Sequence, residues 1–119
     1  MTAITMTVVG NLGRDPELRY TAEGHPVASF TIASTERVRD GDTWKDGAVT
    51  WVRCAAWRSL AEHAAETFHK GDRVIATGTL IQHDHINEEG VTRYGWELSV
   101  IDCGPSLKFA TTRTIKKQS

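Results

Sequence analysis

The sequence predicts an all-β domain: a five-stranded barrel with one helix between its third and fourth strands and a short extra C-terminal strand. Three observations predict it. Apolar and polar residues alternate with period 2 through most of the 119 residues, the pattern of half-buried strands. One segment only, near residues 60–70, changes to helical spacing. Clusters of Gly, Pro, Asn and Asp fall between the extended segments, where reversals of the chain need them.

The elements follow in order. Residues 3–13 put Ile4, Met6 and Val8 on one face of a first strand. A Gly-Arg-Asp-Pro turn at 13–16, an extended piece Glu17–Thr21 and a second turn at 22–26 come next. Val27–Thr35, rich in small and β-branched residues, makes the second strand. Residues 36–48 are polar with two glycines and are expected to be a long hairpin tip. Val49–Arg58 is the third strand. The helix is placed at Leu60–Lys70, where Leu60, Ala64 and Phe68 form an apolar stripe. Ser59 and Glu62 fit a capping box, and Gly71 fits the position just past the end. Asp72–His85 is the fourth strand, residues 87–90 a hairpin turn, and Val91–Asp102 the fifth strand, closed by Gly104-Pro105. Residues 107–115 are expected to add the short extra strand, and 116–119 to fray. Three strands, a helix and two strands is the order of an OB barrel. With no repeat, low-complexity run or linker, residues 1–115 read as one domain.

Composition narrows the function classes. The hydrophobic fraction is 39% and the charged fraction 24%, ordinary for a globular domain. No apolar run approaches the ~20 residues of a membrane span, and the N-terminus has no basic-then-apolar signal. The expected compartment is the cytoplasm. A net charge of −1 gives no global footprint of a nucleic-acid binder, but bases sit among the aromatics at Lys45, Arg53 and Arg58. Cys54 and Cys103 form no CxxC pair. Two free thiols are expected, with a Cys54–Cys103 disulfide as the alternative. His83 and His85 could share a strand face, yet no third or fourth ligand has a position, so neither metal nor cofactor is expected. The chain contains no GxSxG, P-loop or HExxH, and Cys54 faces inward by parity. No enzyme is expected.

Alternation in the third strand is the most informative feature. Trp51, Arg53, Ala55 and Trp57 point one way, and Val52, Cys54 and Ala56 the other. The second set is small and apolar, as a barrel interior requires. Burying the first would strand a guanidinium. Exposing it suits a flat, anionic ligand, and single-stranded nucleic acid is both: bases stack on the rings and phosphates take the cation. The alternative is that both indoles pack under a loop or at a subunit interface. Trp44, beside Lys45, reads as a mobile clamp or as a cap on a nearby apolar patch. Trp96 shares a face with Leu98 and Val100 and reads as core or interface.

The segments Val9-Gly10-Asn11-Leu12-Gly13-Arg14-Asp15-Pro16-Glu17-Leu18-Arg19-Tyr20-Thr21 and Val27-Ala28-Ser29-Phe30 closely resemble the opening of bacterial single-stranded DNA-binding proteins. The resemblance continues through residues 51–58, 70–74, 78–80 and 104–107, and the tail Leu107–Thr112 looks like the actinobacterial branch, where it forms a strand that clamps subunits. It implies sequence-independent binding and protection of single-stranded DNA in replication, recombination and repair, by a homotetramer around which the DNA wraps. It implies stacking by Trp51 and Trp57. His85 stands where the family usually has an aromatic, and Trp44 stands in for a family tryptophan that falls near Val38. Phosphate contacts are expected from Arg37, Lys45, Arg53, Arg58, Lys70 and Arg93. Relatives typically continue into a linker and an acidic tip that recruits partners. This chain stops at Lys116-Lys117-Gln118-Ser119, so tip-dependent partners are not expected. The second reading is an OB-fold assembly or adaptor subunit whose aromatic face binds protein.

Overall fold

The structure is a computed structural model and describes residues 3–93 and 95–117, the side chain of His85 excepted. Its elements are β1 (Thr5–Leu12), β2 (Glu17–Tyr20), β3 (Pro26–Asp40), β4 (Thr43–Trp57), α1 (Arg58–Thr67), β5 (Arg73–Gln82), β6 (His85–Ile86), β7 (Thr92–Arg93) and β8 (Trp96–Pro105). The order of hydrogen-bonded neighbours is β1-β5-β8-β4-β3, and β3 returns to β1 through Asn11↔Ala33 and Leu12↔Ile32. That return closes a five-stranded ring. β4 and β8 run parallel at Cys54↔Leu98 and Ala55↔Ser99, while the other contacts of the ring are antiparallel. β2 lies outside the ring along β3, and β6 and β7 form a small ribbon beyond β5.

Alternation explains the interior. Val8, Leu12, Phe30, Ile32, Cys54, Val74, Leu98 and Val100 point inward and are buried. The helix adds Ala61, Ala64 and Phe68 to the same core. Phe68 meets Phe30 edge-on, with ring centroids 5.7 Å apart. Removing one such side chain from water stabilises the fold by about 1.5–3 kcal/mol.

Four expectations need correction. Residues 107–115 form no strand: after Pro105 the chain is irregular, held by the Ser106 N–H donating to the Arg73 carbonyl at 2.8 Å and by the Phe109 ring against the Arg73 guanidinium. A further strand would need an edge, and the ring leaves β5 and β8 paired on both sides. Residues 36–48 do form a hairpin tip, but as strand and not as an irregular polar loop. They continue β3 and β4 as a two-stranded ribbon, from Arg37↔Asp46 to Asp40↔Thr43, past a bulge between Thr35 and Arg37. The capping box does not form. β4 passes straight into α1, the cap position falls on Trp57, and no side chain caps the helix. Arg58 turns the corner with φ 61, a left-handed geometry that costs a non-glycine residue about 1–2 kcal/mol. The helix also ends early, at Phe68, because that residue turns inward to the core, leaving Lys70 and Gly71 in the following turn.

Candidate nucleic-acid interface

β4 carries the site. Its outward residues include Trp51 (59% exposed), Arg53 and Trp57 (48% exposed), as parity requires. Six residues of strand separate the indoles, about 20 Å. Facing them across β3 are Val27, Thr31 and Ala33, opposite Trp57, Arg53 and Trp51 respectively. These side chains are short, so nothing on β3 overhangs the rings. Exposed rings with a guanidinium between them have the chemistry to stack flat bases and to take a phosphate.

Trp51 has a second neighbour that the sequence reading missed. Gly13, at the end of β1, lies under the six-membered part of the indole. A Cβ built on it would stand 2.8 Å from Cζ3 of Trp51. The backbone there is fixed on both sides: the Gly13 N–H donates to the Thr31 carbonyl at 3.2 Å and the Leu12 N–H to the Asp72 carbonyl at 2.9 Å. The indole, not the main chain, must therefore yield to a methyl group. Gly13→Ala is expected to shift the emission of Trp51 and to weaken oligonucleotide binding about threefold to tenfold, while urea unfolding changes little. Unchanged emission and affinity would show that Gly13 does not seat the ring.

The β3–β4 ribbon carries Trp44, exposed at 57%. The Arg39 guanidinium lies 5.7 Å from its ring centroid, a cation–π contact. Arg37 pairs with Asp46 at 3.5 Å and Lys45 with Asp40 at 3.6 Å. Both pairs are well exposed and contribute about 0–1 kcal/mol, so an incoming phosphate displaces either acid at small cost. Arg58 Nη1 lies 3.1 Å from His25 Nδ1. Lys70 is exposed, and its backbone N–H donates to Asp15 Oδ1 at 2.7 Å. That bond ties the turn after the helix to the turn that follows Gly13. Arg93 is exposed on β7, opposite His85. The backbone of His85 is in β6, and its side chain lies outside the described residues.

The structure thus brings Trp51, Arg53 and Trp57 onto one face and places Trp44, Arg37 and Lys45 on the ribbon that continues it. Arg58 follows Trp57 directly at the start of α1, whereas Lys70 is in the turn after the helix and Arg93 on β7. Trp96 is not in the core. It is 58% exposed at the first residue of β8, beyond the layer that buries Leu98.

Both cysteines are free thiols, so the disulfide alternative is not what the fold contains. Burial pushes Cys54 up to about 12, with Cys103 and Glu97 adding to the effect. Burial and then Asp102 push Cys103 up to about 11. Thiols that hold their protons so firmly are poor nucleophiles at neutral pH. Among the described residues no helix is long and apolar enough to cross a membrane.

Comparison with known proteins agrees with this fold. The profile of the Single-strand binding protein family matches residues 4–104. A single-stranded DNA-binding protein of Mycolicibacterium smegmatis is 48% identical over 94% of this chain and 69% of its own length. One of Mycobacterium tuberculosis is 47% identical over 94% of this chain and 70% of its own. The crystal structure of a small single-stranded DNA-binding protein from Streptomyces coelicolor superimposes with a TM-score of 0.79 at 31% identity, covering 90% of this chain and 97% of that one.

Proposed function

Since this chain belongs to the single-strand binding protein family, we propose that it binds single-stranded DNA without regard to overall sequence and shields it during replication, recombination and repair. The observation that carries this reading is the outward Trp51-Arg53-Trp57 set on β4, open across short β3 side chains. Bases stack on Trp51, Trp57 and Trp44, with His85 at the far hairpin. Arg37, Lys45, Arg53, Arg58, Lys70 and Arg93 take phosphates. Residues 1–115 are the working domain, and it acts in the cytoplasm on nucleoid DNA. The protein holds its ligand and performs no chemistry on it.

We also propose a homotetramer. Ile4, Ile101, Leu107, Phe109 and Ile115 are each more than half exposed. Covering such side chains between subunits would take apolar surface out of water. Light scattering at micromolar concentration should then return four times the 13.2 kDa chain mass.

Titrating the protein with oligo(dT) tests the DNA reading. Intrinsic fluorescence should quench as bases cover the indoles, and affinity should fall linearly on a logarithmic salt scale through counterion release. With net charge −1, the slope should be shallow for the number of bases covered, because stacking carries much of the binding. Absence of quenching at low salt, or equal affinity for duplex DNA, would overturn the reading.

A further inference from the structure

Between the tryptophans the outer face of β4 borders a recess of about 350 Å³, lined by Arg53 together with Arg14, Ser29, Thr31 and Glu97. Two other acids at its rim are already engaged. Asp15 accepts the Lys70 N–H, and Glu17 Oε1 accepts from Arg19 Nε at 2.8 Å. Glu97 is different. Only 17% of its side chain is exposed, yet among the described residues the nearest basic group is the His83 imidazole, with Nδ1 at 3.8 Å from Oε2. That separation is too long for a hydrogen bond. Arg14 and Arg53 likewise enter no ion pair among the described residues. Among the described residues the recess therefore holds two guanidinium groups in no ion pair, one carboxylate without a hydrogen bond, and two hydroxyls.

A largely desolvated carboxylate on a surface that receives phosphates opposes them. Its chemistry becomes favourable only toward a ligand that is anionic at one end and carries N–H donors at the other. A nucleotide is such a ligand. In an unpaired strand the base edges are free, and a carboxylate accepts from the exocyclic N4 amino group of cytosine. Thymine sets a carbonyl oxygen at the same place, where Glu97 would repel it. We propose that this recess is a base-reading subsite on the DNA path: Glu97 accepts from the cytosine amino group, Ser29 and Thr31 donate to its ring acceptors, and Arg14 and Arg53 hold the adjoining phosphate. The inference rests on the single-stranded DNA reading above and adds to it a preference for cytosine over thymine at one position of each site.

The test compares oligo(dC) with oligo(dT) of equal length, two pyrimidines that differ at this edge. In Glu97→Gln the ratio of dC affinity to dT affinity should fall on the order of tenfold. Glu97→Asp keeps the charge but withdraws the carboxylate by one methylene, and should lose most of the same preference with an unchanged salt slope. Two results would overturn the proposal. One is an unchanged ratio in both variants. The other is an equal gain in affinity for both oligonucleotides in Glu97→Gln, which would make Glu97 only a repulsive charge. Thermal unfolding of each variant separates these outcomes from a loss of fold. Failure of the wild-type protein to bind either oligonucleotide would instead remove the DNA reading itself, and the subsite with it.

Discussion

The double variant Trp51→Ala, Trp57→Ala is expected to lose about 2–6 kcal/mol of binding to single-stranded DNA, at least ~30-fold in affinity. Each base stacked on an aromatic ring contributes about 1–3 kcal/mol by alanine substitution. The two rings stand about 20 Å apart along β4 and share no partner, so their losses should add. Each ring is also roughly half buried, so truncating both should cost the fold about 1.5–3 kcal/mol. Anisotropy of a labelled oligonucleotide measures the affinity without relying on the deleted fluorophores, and thermal unfolding measures the fold. Affinity within threefold of wild type, with the fold intact, would show that the indoles are not the platform. The aromatic face would then serve a protein partner, as in an adaptor subunit.

Salt separates the stacking contribution from the ionic one in the same experiment. The cations on the ribbon are already neutralised in part by Asp46 and Asp40. Each must exchange an acid for a phosphate, which releases less free energy than a bare cation would. Arg53, Arg58, Lys70 and Arg93 have no such acidic partner among the described residues and should carry most of the salt slope. The double variant should therefore keep nearly the wild-type slope at much lower affinity, since the rings carry no charge.

Much of the barrel was legible because its strands have one wet and one dry face. Val52, Cys54 and Ala56 alternate with Trp51, Arg53 and Trp57, and the parity assigns both the core and the candidate site. The β3–β4 ribbon was not legible as strand. Beyond the barrel it has no buried face, so Glu36, Arg37, Asp40, Lys45 and Asp46 show no hydrophobic period, and only the register from Arg37↔Asp46 onward reveals it. The start of the helix was misplaced for a different reason. Capping rules assume a loop before the helix, whereas here Arg58 accepts a left-handed φ that sequence reasoning reserves for glycine. Trp96 looked buried because its parity matches Leu98. Parity says which way a side chain points but not whether the barrel still has a layer to receive it. Gly13 under Trp51, and Arg14 and Glu97 beside Arg53, come from turns and strands distant in the chain. No local pattern brings them together, and only the closed ring does.

That closure itself can be tested at one atom. Gly10 pairs with Val74 of β5 just before β1 crosses to β3. A Cβ built there would overlap the carbonyl oxygen of Ala33 and stand 2.8 Å from Ile32 Cγ2. Neither neighbour is a flexible tip. Ala33 and Ile32 each supply one of the two pairs that close the barrel, and Ile32 is fully buried in its core. Relief must come from parting β1 from β3, and that breaks the closing hydrogen bonds as well as the packing beneath them. Overpacked cores ordinarily lose about 1–3 kcal/mol, and lost pairing at the seam should bring Gly10→Ala to about 3 kcal/mol or more. Gly24→Ala is the matched control: its φ of +86 is unfavourable for alanine, yet no atom lies within 4 Å of the added carbon. It should lose only the conformational strain, about 1–2 kcal/mol. Urea unfolding at one fixed protein concentration, so that assembly contributes equally, decides between them. Should Gly10→Ala prove no costlier than Gly24→Ala, the β1–β3 contact is a loose approach and not a closed seam. The rigid placement of β4, on which the stacking platform depends, would then need another source.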